Sequence, residues 1–328
     1  MTELSNAEVI HQASLVIDTH CDTLGRVYEG QRRLGEHSLL GQFDLPRAIK
    51  GGLNAEFMAT FVDERRAGDG IRQSLHFIDI YHEELDAFPD LALAMTTTAD
   101  ILRAQEQGKV ALLLSMEGAE GLGGDLRALR LFYRLGLRSL GLTWNRRNEA
   151  ADGTDEIRTG GGLSNFGVKL VKECNRLGIL LDMAHLSPAG VRDVLELSDA
   201  PVVVTHANCH AIWPHPRNLT DDQLEQIARN GGVVGVTPVP PFLGNDPQRS
   251  QLSVLIDHID HMVRVIGIDH VGIGLDFDGV GDLRVEDIED VSKLPNLTQA
   301  LIERGYGADG IGKLLGGNFF RVLGEVID

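Results

Sequence analysis

The sequence is poor in cysteine, in basic charge and in long apolar runs. Only three cysteines, Cys21, Cys174 and Cys209, occur in 328 residues, too few and too scattered for a disulfide framework or a cysteine-based zinc site. That usage suits a reducing compartment. Lysine and arginine number 30 against 48 aspartates and glutamates, a net charge of −18, and such a surface repels phosphate backbones and anionic lipid headgroups. Neither nucleic acid nor membrane is an expected partner. No stretch approaches the roughly 20 consecutive apolar residues of a spanning helix, and the opening MTELSNAEVI has neither the basic start nor the apolar segment of an export signal. A cytoplasmic location is expected. Repeats, low-complexity tracts and Pro- or Ser-rich linkers are missing too, and the 38 glycines are spread along the chain. The sequence therefore reads as one domain over residues 1–328, and with 43% hydrophobic residues it can bury a full core.

What is present is alternation. Short apolar runs ending in polar residues recur at 15–18, 55–60, 110–114, 139–142, 179–183, 202–204, 233–236 and 271–275, eight candidate buried strands. Between them lie helical patterns with readable ends. Residues 126–135 stop at Gly136, 165–177 follow Ser164 and stop at Gly178, and 188–197 follow Ser187. Thr220 with Gln223 has the form of a capping box opening a helix that ends at Gly231 and Gly232. Alternating strands and helices imply a parallel sheet, and eight strands in this length favour a closed (β/α)8 TIM barrel over an open sheet. In such a barrel, function belongs at the C-terminal ends of the strands.

The first strand runs into Asp18-Thr-His20-Cys-Asp22, an imidazole and a carboxylate side by side at a strand exit, as a metal ion requires. A second His-X-Asp, His258-Ile-Asp260, lies in a helical stretch and is the bland counterpart. The third strand ends Met116-Glu117-Gly118. A carboxylate after a buried run is costly unless paired or metal-bound, so Glu117 alone reads equally as a ligand or as a rim glutamate facing an arginine. The fifth strand leads to Asp182-Met-Ala-His185 and the sixth to Thr205-His206. One histidine after an apolar strand is usually a hydrogen-bonded core residue; two on adjacent strands, with His20, Asp22 and Glu117 in the same barrel, favour metal. The eighth strand ends Asp276-Phe-Asp278-Gly279, where a barrel hydrolase would keep its proton carrier. Three histidines, an aspartate and a glutamate suit two borderline divalent ions, zinc above all, bridged by the glutamate. Such ions sit about 3.5–4 Å apart, so that a shared hydroxide attacks a carbonyl polarised by the second ion. No Gly-X-Ser-X-Gly elbow occurs, and Gly272-Ile-Gly274 continues into Asp276 rather than a glycine-led helix, so serine-hydrolase and dinucleotide readings lack their motifs.

The ordered set VIDTHCDTL, LLSMEG, LDMAHLS, VVVTHAN, HPRNLTDD and VGIGLDFDGV, closing with LLGGNFFRVL, spans residues 16–322 and resembles the renal (membrane) dipeptidase family of metallopeptidases, within the amidohydrolase superfamily. The 21-residue interval from His185 to His206 and the 11-residue step to Arg217 resemble the family's spacing. The resemblance implies a barrel with one zinc on His20, Asp22 and Glu117 and a second on Glu117, His185 and His206. It further implies that Arg217 grips the free α-carboxylate of a dipeptide and that Asp276 passes a proton from the bridging hydroxide to the leaving amine. For Arg217 the residues alone offer only a loop arginine. A homodimer and tolerance of a D-residue at the C-terminal position are also family expectations.

One departure stands out. Many relatives carry a histidine after the Leu-Thr that ends the fourth strand, where it helps hold the oxyanion; here the text is Leu142-Thr143-Trp144-Asn145. An indole N–H donates one hydrogen bond and cannot become a cation. Trp144 is then expected to wall the pocket around a substrate side chain, with Asn145 or the second metal holding the oxygen. Three functions compete: a dinuclear zinc dipeptidase, a barrel hydrolysing another amide or a lactone such as an N-acyl amino acid, and a metal-holding protein that has lost catalysis. Asp276 argues against the last, since a storage site has no use for a proton carrier.

Overall fold

The computed structural model describes residues 5–62, 69–244 and 250–328. Its strands are β1 (Ile17–Cys21), β2 (Ala55–Phe61), β3 (Ala92–Met95), β4 (Val110–Glu117), β5 (Leu137–Gly141), β6 (Leu180–Asp182), β7 (Val203–Val204), β8 (Val233–Val236) and β9 (Val271–Ile273). All pairings between them are parallel, in the order β2-β1-β9-β8-β7-β6-β5-β4, and β4 pairs back onto β2. Eight strands thus close on themselves inside a ring of helices, as the alternation requires: a (β/α)8 barrel.

The expectation of eight strands needs one correction, because β3 is a ninth. The long strand β4 serves two neighbours along one edge: Val110 to Leu113 pair with β3, while Leu114 to Met116 pair with β5. Its other edge follows β2 from Ala111 to Glu117. Four residues, ALAM, with only the two ends buried, leave too short a pattern to separate from the helical text around them.

The helices form where their caps are written. Ser164 accepts the N–H groups of Phe166 and Gly167 to open Asn165–Leu177, which Gly178 ends at φ +70°. Ser187 caps Pro188–Leu197, and Thr220 with Gln223 forms the reciprocal box that opens Asp221–Arg229. Each such cap contributes about 1 kcal/mol.

The barrel is plugged from below. The helix Asn318–Val326 sends Phe319, Val322 and Leu323 against Ile17, Ala55, Leu180, Val203 and Val233, residues at the starts of their strands. Apolar burial is therefore spent at the N-terminal end. The C-terminal end, free of this plug, is left to polar groups. Among the described residues no helix is long and apolar enough to cross a membrane.

Candidate active site

Backbone hydrogen bonds at the top of the barrel stitch neighbouring strand exits together. The Asp276 N–H donates to the His20 carbonyl (3.0 Å) and the Asp22 N–H donates to the Phe277 carbonyl (2.9 Å). Beneath them the buried Asp18 carboxylate accepts the N–H groups of Leu275 (2.7 Å) and His20 (3.3 Å). This clasp brings His20, Asp22 and Asp276 together. Gly279 is needed beside them, because a Cβ there would strike the carboxylates of both Asp22 and Asp276. Asp278 ties the same segment down by accepting from Thr23, Arg32 and the Gln42 N–H.

Six side chains converge. His20 Nε2 lies 3.5 Å from Asp22, 3.6 Å from Glu117 and 3.9 Å from Asp276. Glu117 Oε1 lies 3.0 Å from His185 Nε2 and 3.8 Å from His206 Nε2. Glu117 thus stands between two groups, as a bridging ligand would. Ligand atoms of His20, Glu117 and His206, and those of His20, Asp22 and Asp276, lie within 4.8 Å of one another. All but Asp22 are buried. His185 and Asp276 both adopt left-handed backbone, at φ +65° and +56°, conformations that histidine and aspartate tolerate better than most residues but still rare.

The protonation pattern points to a cation. Asn145 Oδ1, an acceptor, lies 2.7 Å from His185 Nδ1, so this ring nitrogen carries the hydrogen. Thr205 spends its hydroxyl proton on Asp182 (2.6 Å) and must therefore accept from His206 Nδ1 (2.9 Å). Both Nε2 atoms are then bare lone pairs, yet they face each other at 2.9 Å. Two lone pairs at hydrogen-bond distance repel unless a positive ion lies against them, and imidazoles held through the far nitrogen are the arrangement of metal ligands. His20 Nε2 is also buried without a hydrogen-bond partner among the described residues. The donor set of imidazoles and carboxylates fits a borderline divalent ion.

Electrostatics agree. Burial lifts the Glu117 carboxyl well above its ordinary range, and burial with the Asp22 charge lifts Asp276 to about 8. Burial, with the His20 and Arg217 charges, drives His185 and His206 well below theirs. Burial opposes charge on His20 as well, but the carboxylates of Glu117, Asp22 and Asp276 outweigh it and push its pKa up to about 10. A divalent cation beside Glu117 and Asp276 would favour the charged form of both buried carboxylates.

Above the cluster opens a cavity of about 540 Å³ lined by Asp22, Glu117, His185 and Asp276, and also by Trp144 and Asn145. The Trp144 ring stands edge-on to Phe61 (5.3 Å) and tilted over His185 (5.9 Å). Arg217 is buried beside the cluster: Nη2 donates to the His206 carbonyl (3.0 Å), the guanidinium lies 5.4 Å from the Phe242 ring, and Nε has no partner among the described residues. It lines a smaller cavity of about 140 Å³ that adjoins the first at His185. His258, by contrast, is a core residue, its Nδ1 accepting the Cys209 N–H and its Nε2 against the Leu243 carbonyl. The sequence reading assigned no part to Thr205, Asp182 or Asp278. Thr205 directly precedes His206 and Asp182 lies three residues before His185, but their relay joins the ends of different strands.

The family profile described as "Membrane dipeptidase (Peptidase family M19)" matches residues 4–328. A dipeptidase of Aspergillus oryzae, aclJ, is 36% identical over 299 residues, covering 88% of this chain and 71% of that one. Among solved structures, the dipeptidase AC of family M19 superposes with a TM-score of 0.90 at 34% identity, over 96% of this chain and 99% of that one. A metallopeptidase of Rhodobacter sphaeroides, bound to a phosphinate mimic of the dipeptide L-Ala-D-Ala, also reaches 0.90 at 33% identity, over 95% and 99%.

Proposed function

The chain belongs to the membrane dipeptidase family of metallopeptidases, and from that premise we propose that it hydrolyses dipeptides with the help of two zinc ions per chain, the whole sequence acting as one catalytic unit. The observation that carries this reading is the pair of facing imidazole lone pairs beside Glu117, with a buried, under-bonded Arg217 next to them. His20, Asp22 and Glu117 would hold one ion, and Glu117, His185 and His206 the other. When bound, the metal supplies Lewis acidity, which polarises the scissile carbonyl and acidifies water.

The chain's own groups supply the rest. Asp276 takes a proton on its carboxylate from the attacking water and delivers it to the leaving nitrogen. Arg217 offers its guanidinium to the free α-carboxylate and fixes where the peptide bond lies. Asn145 holds His185 through Oδ1 and would turn Nδ2, for which the described residues give no partner, to the substrate; Trp144 walls the pocket. The mimic bound to the Rhodobacter relative makes an L-Xaa-D-Xaa peptide a substrate to test first.

Elemental analysis with a small dipeptide panel tests the proposal. Two ions per active chain are expected, and Glu117→Ala should lose the bridge and most activity. At most one ion per fully active chain would sink the dinuclear reading. Turnover of N-acyl amino acids but of no dipeptide would favour the other amidase reading. Arg217 has its own check: amidating the C-terminus of a good dipeptide should cost wild type about 1.5–3 kcal/mol, and Arg217→Met much less.

A further inference from the structure

Phe, Trp and Tyr make up 5% of the chain, yet they are five of the eighteen residues that line the 540 Å³ cavity. They are not spread evenly. Phe242 stands at the Arg217 end, beneath the guanidinium. Tyr28 and Phe77 stack at 5.0 Å, and Tyr28 ends the helix Thr23–Tyr28 that begins directly after Asp22. Tyr28 follows β1 and Phe77 follows β2, strands three and four places round the barrel from β7, after which Arg217 comes; Phe61, the last residue of β2, lines the same cavity and meets Trp144 edge-on.

The charged groups at that end are of both signs and face each other. Arg26 donates to the Asp278 carbonyl (3.2 Å) and pairs with Glu29 at 3.7 Å, and Glu29 also accepts from Gln31. A charged substrate side chain entering here would meet an arginine and a glutamate that already face each other, whereas an apolar one would gain contact with three rings.

Resting on the dipeptidase reading, we propose that this aromatic end is the site for the amino-terminal residue of the substrate and that it selects bulky apolar side chains, aromatic ones above all. The placement follows from the clamp. With the carboxylate at Arg217 and the scissile carbonyl at the cluster, the amino-terminal residue points to the Asp22 side, where Tyr28, Phe77 and Phe61 stand.

The test compares kcat/KM of the metal-loaded enzyme for Phe-Ala, Ala-Phe, Gly-Ala, Asp-Ala and Lys-Ala. Phe-Ala should exceed Gly-Ala, Asp-Ala and Lys-Ala by at least about tenfold, the scale on which apolar pockets discriminate, and should exceed Ala-Phe. Tyr28→Ala, at an exposed position, should lower the Phe-Ala to Gly-Ala ratio by about tenfold; Phe61→Leu should lower it in a second wall. A flat ranking, a preference for charged side chains, Ala-Phe above Phe-Ala, or an unchanged ratio in both variants would overturn the assignment while leaving the dipeptidase reading in place. Turnover of N-acetyl-phenylalanine without any dipeptide would overturn both.

Discussion

At the scale of single residues, the site depends on groups that hold other groups. Thr205 accepts from His206 and donates to Asp182, so Thr205→Val keeps the shape but removes both bonds. Metal affinity should fall about 10–100-fold, read by competition with a chelator, while the unfolding midpoint changes little; unchanged affinity would show that the relay is structural only. In the proposed mechanism Asp276 belongs to the chemistry itself. Asp276→Asn should keep both metals yet lower kcat at least about 10²-fold, and near-normal turnover with full metal would mean that the proton travels elsewhere. Trp144→Ala should reorder dipeptides by side-chain size beyond any uniform loss of rate, because its indole lines the cavity against Phe61; an unchanged order would mark it as packing. The residues that converge here could be read one strand end at a time, since each follows an apolar run. Their orienting partners could not, because a hydroxyl relay and a carboxylate clasp join positions far apart in sequence and leave no pattern in either segment.

At the scale of elements, His11 shows how a helix is tied to its neighbours. It lies on the helix Asn6–Ala13, buried, with Nδ1 against Thr298 (2.7 Å) and Nε2 against the Gly51 carbonyl (2.8 Å). Burial holds its pKa below the ordinary 6.5. Between that lowered value and 6.5 the unfolded chain binds a proton that the folded chain refuses, so His11 stabilises fully above 6.5 and its contribution fades as pH falls. Urea midpoints at pH 7.5 and 5.5 should therefore differ more for wild type than for His11→Gln; equal differences would remove His11 from the pH response. The helices whose ends carry Ser164, Ser187 and Thr220 were legible because a cap is a local device. The strand β3 was not, because four residues that borrow part of one edge of β4 are defined by a neighbour rather than by their own text.

At the scale of the whole molecule, stability and chemistry sit at opposite ends of one barrel. Phe319 plugs the N-terminal end, where its ring lies so close to Gly272 that no Cβ would fit. Phe319→Ala should cost about 3–5 kcal/mol in urea unfolding and leave kcat/KM near wild type well below the transition; an equal loss of activity would show that the plug sets the geometry of the site. The closed barrel itself was readable from alternation, whereas the way its floor is filled was not, since the plug comes from the last helix of the chain. The left-handed backbone of His185 and Asp276 carries a different consequence, for descent rather than for mechanism. Few side chains accept that conformation, so most single mutations at either position damage the backbone before they can offer new chemistry. The aromatic wall carries no such burden at Tyr28, Phe61 or Phe242, none of which has positive φ. Lineages, and libraries made to imitate them, should therefore diverge in which substrates they accept long before they diverge in what they do to them.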